Sequence, residues 1–164
     1  MNYEKKLTDM SILGPFIELQ IREEKKVKLT VTGDSMYPLL KSRIDTVVLD
    51  TPKNLKKYDI VFYKRDNGRY ILHRILKEKN GIFTIAGDNE LKKEYPIRKD
   101  QIIAKVCSFT RKGKSHDANE LFYRVYAFIW VNFFSIRPFL LKCCMKIYAL
   151  SRKIHKGGNT SENS

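Results

Sequence analysis

Ser35 is the first residue whose type and setting suggest chemistry. A predicted strand ends at Val31, and a glycine turn at Gly33 then presents Ser35 ahead of Pro38. A nucleophilic serine needs an exposed hydroxyl, backbone N–H groups for the oxyanion and a base to take its proton. The turn could supply the first two, whereas composition alone favours an ordinary Asp-Ser turn.

His73 and Asp88 are the other two candidates. Alternation along a predicted strand puts His73 on the same face as Ile71 and Ile75. Asp88 follows another predicted strand, in a turn where aspartates commonly cap their own backbone. Taken singly, each of these two residues is more typical of a structural role than of a catalytic one.

The elements that must position these side chains are mostly strands. Period-2 alternation or short apolar runs predict strands at 26–31, 46–49, 59–63, 70–76, 82–85 and 102–109. Asn67-Gly68 and Asn80-Gly81 are typical of hairpin turns, because both residue types tolerate positive φ. We expect a mostly β fold, compact and coiled or barrel-like, with a short N-terminal helix and C-terminal amphipathic helices.

Composition shifts divide the chain into five parts. These are an N-terminal helix (1–25), a β domain (26–110), a polar linker (111–120), a basic amphipathic helical tail (121–155) and a disordered end (156–164).

The tail predicts an interfacial helix pair. Arg124, Ser135, Lys142, Lys146 and Lys153 share one side of an otherwise apolar and aromatic helical surface. This pattern is typical of a helix lying in a membrane interface and favours an anionic membrane surface as a partner. The alternatives are packing on the β domain or on a second subunit, and a true membrane span.

Composition excludes several classes of protein. The chain has 164 residues, a formal net charge of +14 and 43% hydrophobic residues, so it is not a disordered chain. Residues 111–164 carry half of the net charge, which argues against a uniform nucleic-acid-binding surface. Three cysteines and three histidines are too few and too poorly spaced for a zinc site, and we expect no metal or cofactor. The N-terminus has no uninterrupted apolar stretch typical of a signal peptide.

In their order along the chain, four sequence blocks and a closing strand resemble the type I signal peptidase and LexA-like serine peptidase superfamily. The blocks are Gly33-Asp34-Ser35-Met36-Tyr37-Pro38, Asp59-Ile60-Val61, His73-Arg74 and Gly87-Asp88-Asn89, and the closing strand is Ile102–Val106. The resemblance covers residues 26–110 and implies the fold of that superfamily for this part of the chain.

The resemblance implies a role for each candidate. Ser35 would be the nucleophile, and His73, where most bacterial members have lysine, would be the general base, as in the endoplasmic-reticulum and archaeal type. Asp88 would orient His73, and the backbone at Ser35 and Gly33 would bind the oxyanion. The acidic positions that follow Asn89 in many relatives are here Glu90 to Glu94, without a second aspartate.

The predicted function is that of a serine endopeptidase which cleaves leader or signal segments at a membrane surface. Its substrate would be a peptide or preprotein with small residues at the cleavage site. We expect membrane association through the tail, on the cytoplasmic face. The alternatives are an inactive peptide-binding or membrane adaptor and a LexA-like self-cleaving regulator.

Overall fold

The computed structural model describes residues 10–137 together with Phe139 and Lys142. The predicted end segment 156–164 and most of the second half of the predicted tail lie outside the described residues. The described helices are α1 (Met10–Arg22) and α2 (Leu121–Asn132), with short 3-10 turns at Lys99–Gln101 and Phe134–Ile136. The strands are β1 (Val27–Thr30), β2 (Thr46–Asp50), β3 (Ile60–Lys64), β4 (Tyr70–Lys79), β5 (Ile82–Ala86), β6 (Glu94–Arg98), β7 (Ile102–Arg111) and β8 (Lys114–Asp117).

The strands form one antiparallel sheet in the order β1-β2-β7-β3-β4-β5-β6, with β8 paired to β7. This architecture confirms the predicted mostly β fold with a short N-terminal helix. Strands β1 and β6 stand at opposite ends of the order, and no pairing between them closes the sheet within the described part of the chain.

Strand β4 is long enough to pair with two different neighbours along its length. Its first half pairs with β3, from Tyr70 opposite Lys64 to Arg74 opposite Ile60. Its second half pairs with β5 on the other side, beginning at Arg74 opposite Ala86. On the β5 side, the edge of β4 from Tyr70 to His73 therefore has no strand partner among the described residues.

Side-chain alternation in β4 follows the sequence prediction. Tyr70 and Leu72 pack into the larger core cluster, around Phe62 and Leu39. Ile71 and Ile75 pack on the opposite face of the strand, in a cluster with Val61, Tyr63 and Ile85. His73 therefore belongs to the second face, as its position in the alternation predicted.

Two local features concern the segments beside the β domain. Residues 114–117, within the predicted linker, form strand β8, because Arg111 pairs with Lys114 across a two-residue turn and prolongs β7 as a hairpin. Helix α1 runs through Gly14-Pro15 without a break. At Gly14 the helix lies so close to the Tyr70 ring that a Cβ on residue 14 would collide with the ring.

Helix α2 packs on the β domain through one face. Tyr123 and Ala127 belong to the main core cluster, and Trp130 and Val131 are also buried. The opposite face exposes large apolar side chains, namely Leu121, Phe122, Val125, Phe128 and Ile129. No helix in the described part of the chain is long and apolar enough to cross a membrane.

Candidate active site

Ser35 lies on the turn that follows β1. Gly33 adopts a φ of +89°, a left-handed conformation that favours glycine over residues with a Cβ. The turn continues with the Tyr37 N–H donating to the Asp34 carbonyl, and Met36 anchors it in the core with 1% of its surface exposed. Ser35 itself is half-buried and borders a cleft of about 270 Å³.

Ser35 and His73 both lie against Gly87. A Cβ built on Gly87 would lie 3.1 Å from Ser35 Cβ, 3.1 Å from His73 Nε2 and 2.6 Å from the Ser35 carbonyl oxygen. The Asn89 N–H donates to that same carbonyl at 2.8 Å, which ties this loop directly to Ser35. Nε2 is thus the imidazole nitrogen on the side of Ser35, and a side chain at position 87 would collide with both residues.

The other imidazole nitrogen faces a carboxylate from β6. His73 is almost completely buried, and its Nδ1 lies 3.0 Å from Glu94 Oε1. A proton on Nδ1 can be donated to this carboxylate, which leaves Nε2 free to accept a proton from the serine. This is the arrangement that a serine–histidine pair needs.

Glu94 is held in its ionised form by a set of donors. Tyr63 Oη donates to Oε1 at 2.7 Å, and Arg65 donates to both carboxylate oxygens, at 2.6 and 2.7 Å. Burial alone would raise the pKa of Glu94, but hydrogen bonds from His73, Arg65 and Tyr63 outweigh it and lower that pKa well below the usual range. Glu94 is therefore a carboxylate at neutral pH.

Asp88 does not contact His73, which corrects the predicted role for it. Both of its carboxylate oxygens accept from Arg74, at 2.8 and 2.7 Å, in a fully buried pair. Burial by itself lowers the pKa of Arg74, but the charge of Asp88 outweighs it and raises that pKa well above its ordinary value. Arg74 points to the face of β4 opposite His73, so the residue that orients the imidazole is Glu94.

The backbone donors near Ser35 differ from the prediction at one position. The Gly33 N–H already donates to Ser42 Oγ at 3.0 Å, so it is not available to an oxyanion. The Ser35 N–H makes no hydrogen bond to any residue that the structure describes. Of these two backbone donors, the Ser35 N–H is therefore the one without a partner among the described residues.

Glu90 gives the cleft a second acidic group. Its Oε1 lies 3.6 Å from His73 Nε2, on the side from which Ser35 approaches. The ligand atoms of His73, Glu90 and Glu94 all lie within 4.8 Å of one another and could hold a metal ion. Hydrogen bonds and charge already account for the positions of Glu94 and His73, so the same geometry serves proton transfer without a metal.

Sequence reasoning brought Ser35 and His73 together but missed Glu94 and Tyr63. The alternation in β3 could have indicated Tyr63. Val61 lies directly opposite His73, and Tyr63 is on the same face of the strand as Val61. Glu94 lies at the start of the edge strand β6. Pro96 makes this strand hard to predict, because proline is rare in strands except at the edges of sheets.

An antiparallel β domain that brings a half-buried serine and a buried histidine to one cleft, with an ionised carboxylate beside the histidine, is typical of a serine-type peptidase. The chain belongs to the Peptidase S24-like family, whose model matches residues 5–107. This match confirms the predicted membership in the LexA-like and signal peptidase superfamily. No curated protein matches the chain. No solved structure matches it either.

Proposed function

We propose that this protein is a serine endopeptidase that removes leader or signal segments from peptides at a membrane surface. The observation that carries the proposal is the placement of His73 between Ser35, on its Nε2 side, and Glu94, 3.0 Å from its Nδ1. The family supports a serine-type peptidase, and the substrate class and membrane surface are our inference.

The mechanism follows from the order of these groups. Ser35 Oγ attacks the scissile carbonyl as its proton passes to His73 Nε2, and the Ser35 N–H donates to the oxyanion. Glu94 accepts a hydrogen bond from Nδ1 and stabilises the imidazolium that forms. His73 then returns the proton to the leaving amine. Water next attacks the acyl carbonyl as its proton passes to Nε2, and Nε2 gives that proton to Ser35 Oγ as the acyl group leaves as a carboxylic acid.

The free edge of β4 offers a binding site for an extended peptide. Residues 70–73 lead directly to the imidazole, and their unpaired backbone groups can hydrogen-bond to a strand laid beside them. Leu29, Thr32 and Ile71 line the same cleft, which has a volume of about 270 Å³. The preference for small side chains at the cleavage site rests on the resemblance to signal peptidases.

The outer face of α2 supports the membrane part of the proposal. Phe122, Val125 and Phe128 are each about half exposed on it. Lys57, bonded to Asn132 at 2.8 Å, borders this face, and Arg124 is exposed on the same helix. Apolar side chains beside basic residues match the chemistry of an anionic lipid surface.

Peptide cleavage in the presence of lipid tests the proposed function. Full-length protein would be incubated with a library of leader-like peptides and anionic vesicles, and the products identified by mass spectrometry. We expect cleavage after small residues, lost in Ser35→Ala. If neither protein cleaves any peptide, the inactive adaptor becomes the better account, and cleavage confined to the protein's own chain would favour a self-cleaving regulator.

Vesicle sedimentation tests the membrane surface separately. Phe122→Ser combined with Phe128→Ser should release the protein from anionic vesicles, whereas Ile12→Ser, which alters an exposed residue on α1, should not. Equal binding by both variants would contradict the proposed lipid face.

A further inference from the structure

Three side chains that follow the family match contact the loop at Gly87–Glu90, and we refer to Tyr126, Trp130 and Arg137 as the α2 clasp. Trp130 Nε1 donates to the Asp88 carbonyl at 2.8 Å, and Tyr126 Oη donates to Asp88 Oδ2 at 3.2 Å. Arg137 Nη1 donates to the Gly87 carbonyl at 2.9 Å and to the Glu90 carbonyl at 3.3 Å. The family match ends at residue 107, so the clasp lies beyond it.

Arg137 is an unusual residue for this position. It is fully buried, its Nη2 has no hydrogen-bond partner among the described residues, and its Nε donates to the Trp130 carbonyl at 2.9 Å. A buried guanidinium with an unsatisfied nitrogen is costly, and an apolar side chain would serve packing alone better. What Arg137 supplies that an apolar residue cannot is two donors aimed at the carbonyls of this loop.

The loop that the clasp holds is in direct contact with the reacting groups. Gly87 lies against both Ser35 and His73, with no room for a Cβ, and the Asn89 N–H is bonded to the Ser35 carbonyl. A shift of the loop would therefore move Ser35 relative to His73. Such displacements strongly affect rate, because proton transfer and attack depend on alignment to within a fraction of an ångström.

We propose that the α2 clasp is part of the catalytic unit, with Arg137 as a positioning residue that sets the loop against Ser35 and His73. This inference rests on the proposed peptidase function. Helix α2 then has two roles on two faces, since its buried face fixes the active site while its outer face remains open to a lipid surface.

Amide hydrogen exchange tests the clasp without relying on peptidase activity. In Arg137→Ala, exchange of the amides at 87–90 should accelerate while the strands of the β domain keep their protection. The matched control is Arg124→Ala, which removes an exposed arginine from helix α2 and should leave exchange at the loop unchanged. Unchanged exchange at the loop in a folded Arg137→Ala protein would overturn the proposal.

Kinetic measurements then show whether Arg137 positions the loop for catalysis or only stabilises the folded protein. We expect Arg137→Ala to lower kcat roughly 100-fold with little change in KM, and added guanidinium to restore part of the rate. Trp130→Phe keeps an aromatic ring but loses the donor to Asp88, so it should lower kcat by about tenfold even if Arg137→Ala folds poorly. A kcat near that of the wild-type protein in both variants would overturn the proposal.

The two measurements also separate this inference from the proposed function. If the wild-type protein cleaves no peptide, the proposed function fails, and the exchange experiment alone decides whether the clasp holds the loop.

Discussion

Replacing Glu94 with glutamine removes one negative charge from the Nδ1 side of His73 while keeping an oxygen that can accept its proton. The carboxylate oxygen lies 3.0 Å from Nδ1. At an effective dielectric constant of ~20, unit charges at that separation attract by about 5.5 kcal/mol. Arg65, bonded to the same oxygen at 2.6 Å, opposes roughly half of this attraction, because its charge repels the imidazolium.

The remaining stabilisation of the imidazolium sets the expected effect. About 2.7 kcal/mol corresponds to a loss of ~100-fold in kcat. The assay is the initial rate of cleavage of a saturating peptide, with KM measured in parallel. KM should change little, because Glu94 acts on the charge that develops during reaction and not on the bound peptide.

Glu120→Gln is the matched control for this prediction. Glu120 also contacts a histidine nitrogen, His116 Nδ1, at 2.9 Å, but on the exposed side of the molecule. The Glu120→Gln variant should keep the wild-type rate of cleavage. If Glu94→Gln retains kcat to within about threefold, Glu94 does not stabilise the imidazolium and our account of the site is refuted.

Three further outcomes follow from the same contacts. Gly87→Ala should lower kcat by at least about tenfold, because its Cβ would lie 2.6 Å from the Ser35 carbonyl oxygen; an unchanged rate would contradict the close approach. Asp88→Asn should lower the free energy of unfolding in urea by about 3–5 kcal/mol, since Arg74 would stay buried without its carboxylate; a loss below about 1 kcal/mol would contradict this. The pKa of Glu94 is lowered on folding from its ordinary value of 4.5, so its contribution to stability should be complete above that pH and lost as the pH falls further below it. Thermal unfolding from about pH 7 to about pH 3 should show a steeper loss in the wild-type protein than in Glu94→Gln.

The strands were predictable from sequence because alternation is a local signal. The pattern at 70–76 placed His73 on one face and Arg74 on the other, and the contacts of the two residues confirm this division. Strand β6 was missed because Pro96 interrupts its pattern, and β8 because four polar residues show no alternation at all.

The choice between Asp88 and Glu94 could not be made from the sequence. Both acids follow β5 in one short segment, and which of them reaches His73 depends on how β6 pairs back onto β5. Glu94 lies opposite Ile85 in that pairing, a register set by contacts between distant parts of the chain.

The position of α2 on the β domain could not be predicted from its periodicity either. Apolar residues surround most of this helix, so its pattern did not indicate which face would be covered by the β domain. The buried face is defined by partners far away in sequence, such as Arg74, which donates to Tyr123 Oη at 2.8 Å.

The most direct test of the central claim compares kcat/KM for the wild-type protein, Ser35→Ala, His73→Ala and Lys64→Ala on one cleaved peptide. Lys64 is the control for a lysine base; its Nζ lies 3.5 Å from Glu18, and it is absent from the lining of the Ser35 cleft. We predict a loss of at least ~1000-fold in Ser35→Ala and in His73→Ala, with Lys64→Ala close to the wild-type protein. Activity retained by a folded His73→Ala protein, or lost in Lys64→Ala, would contradict a serine–histidine mechanism.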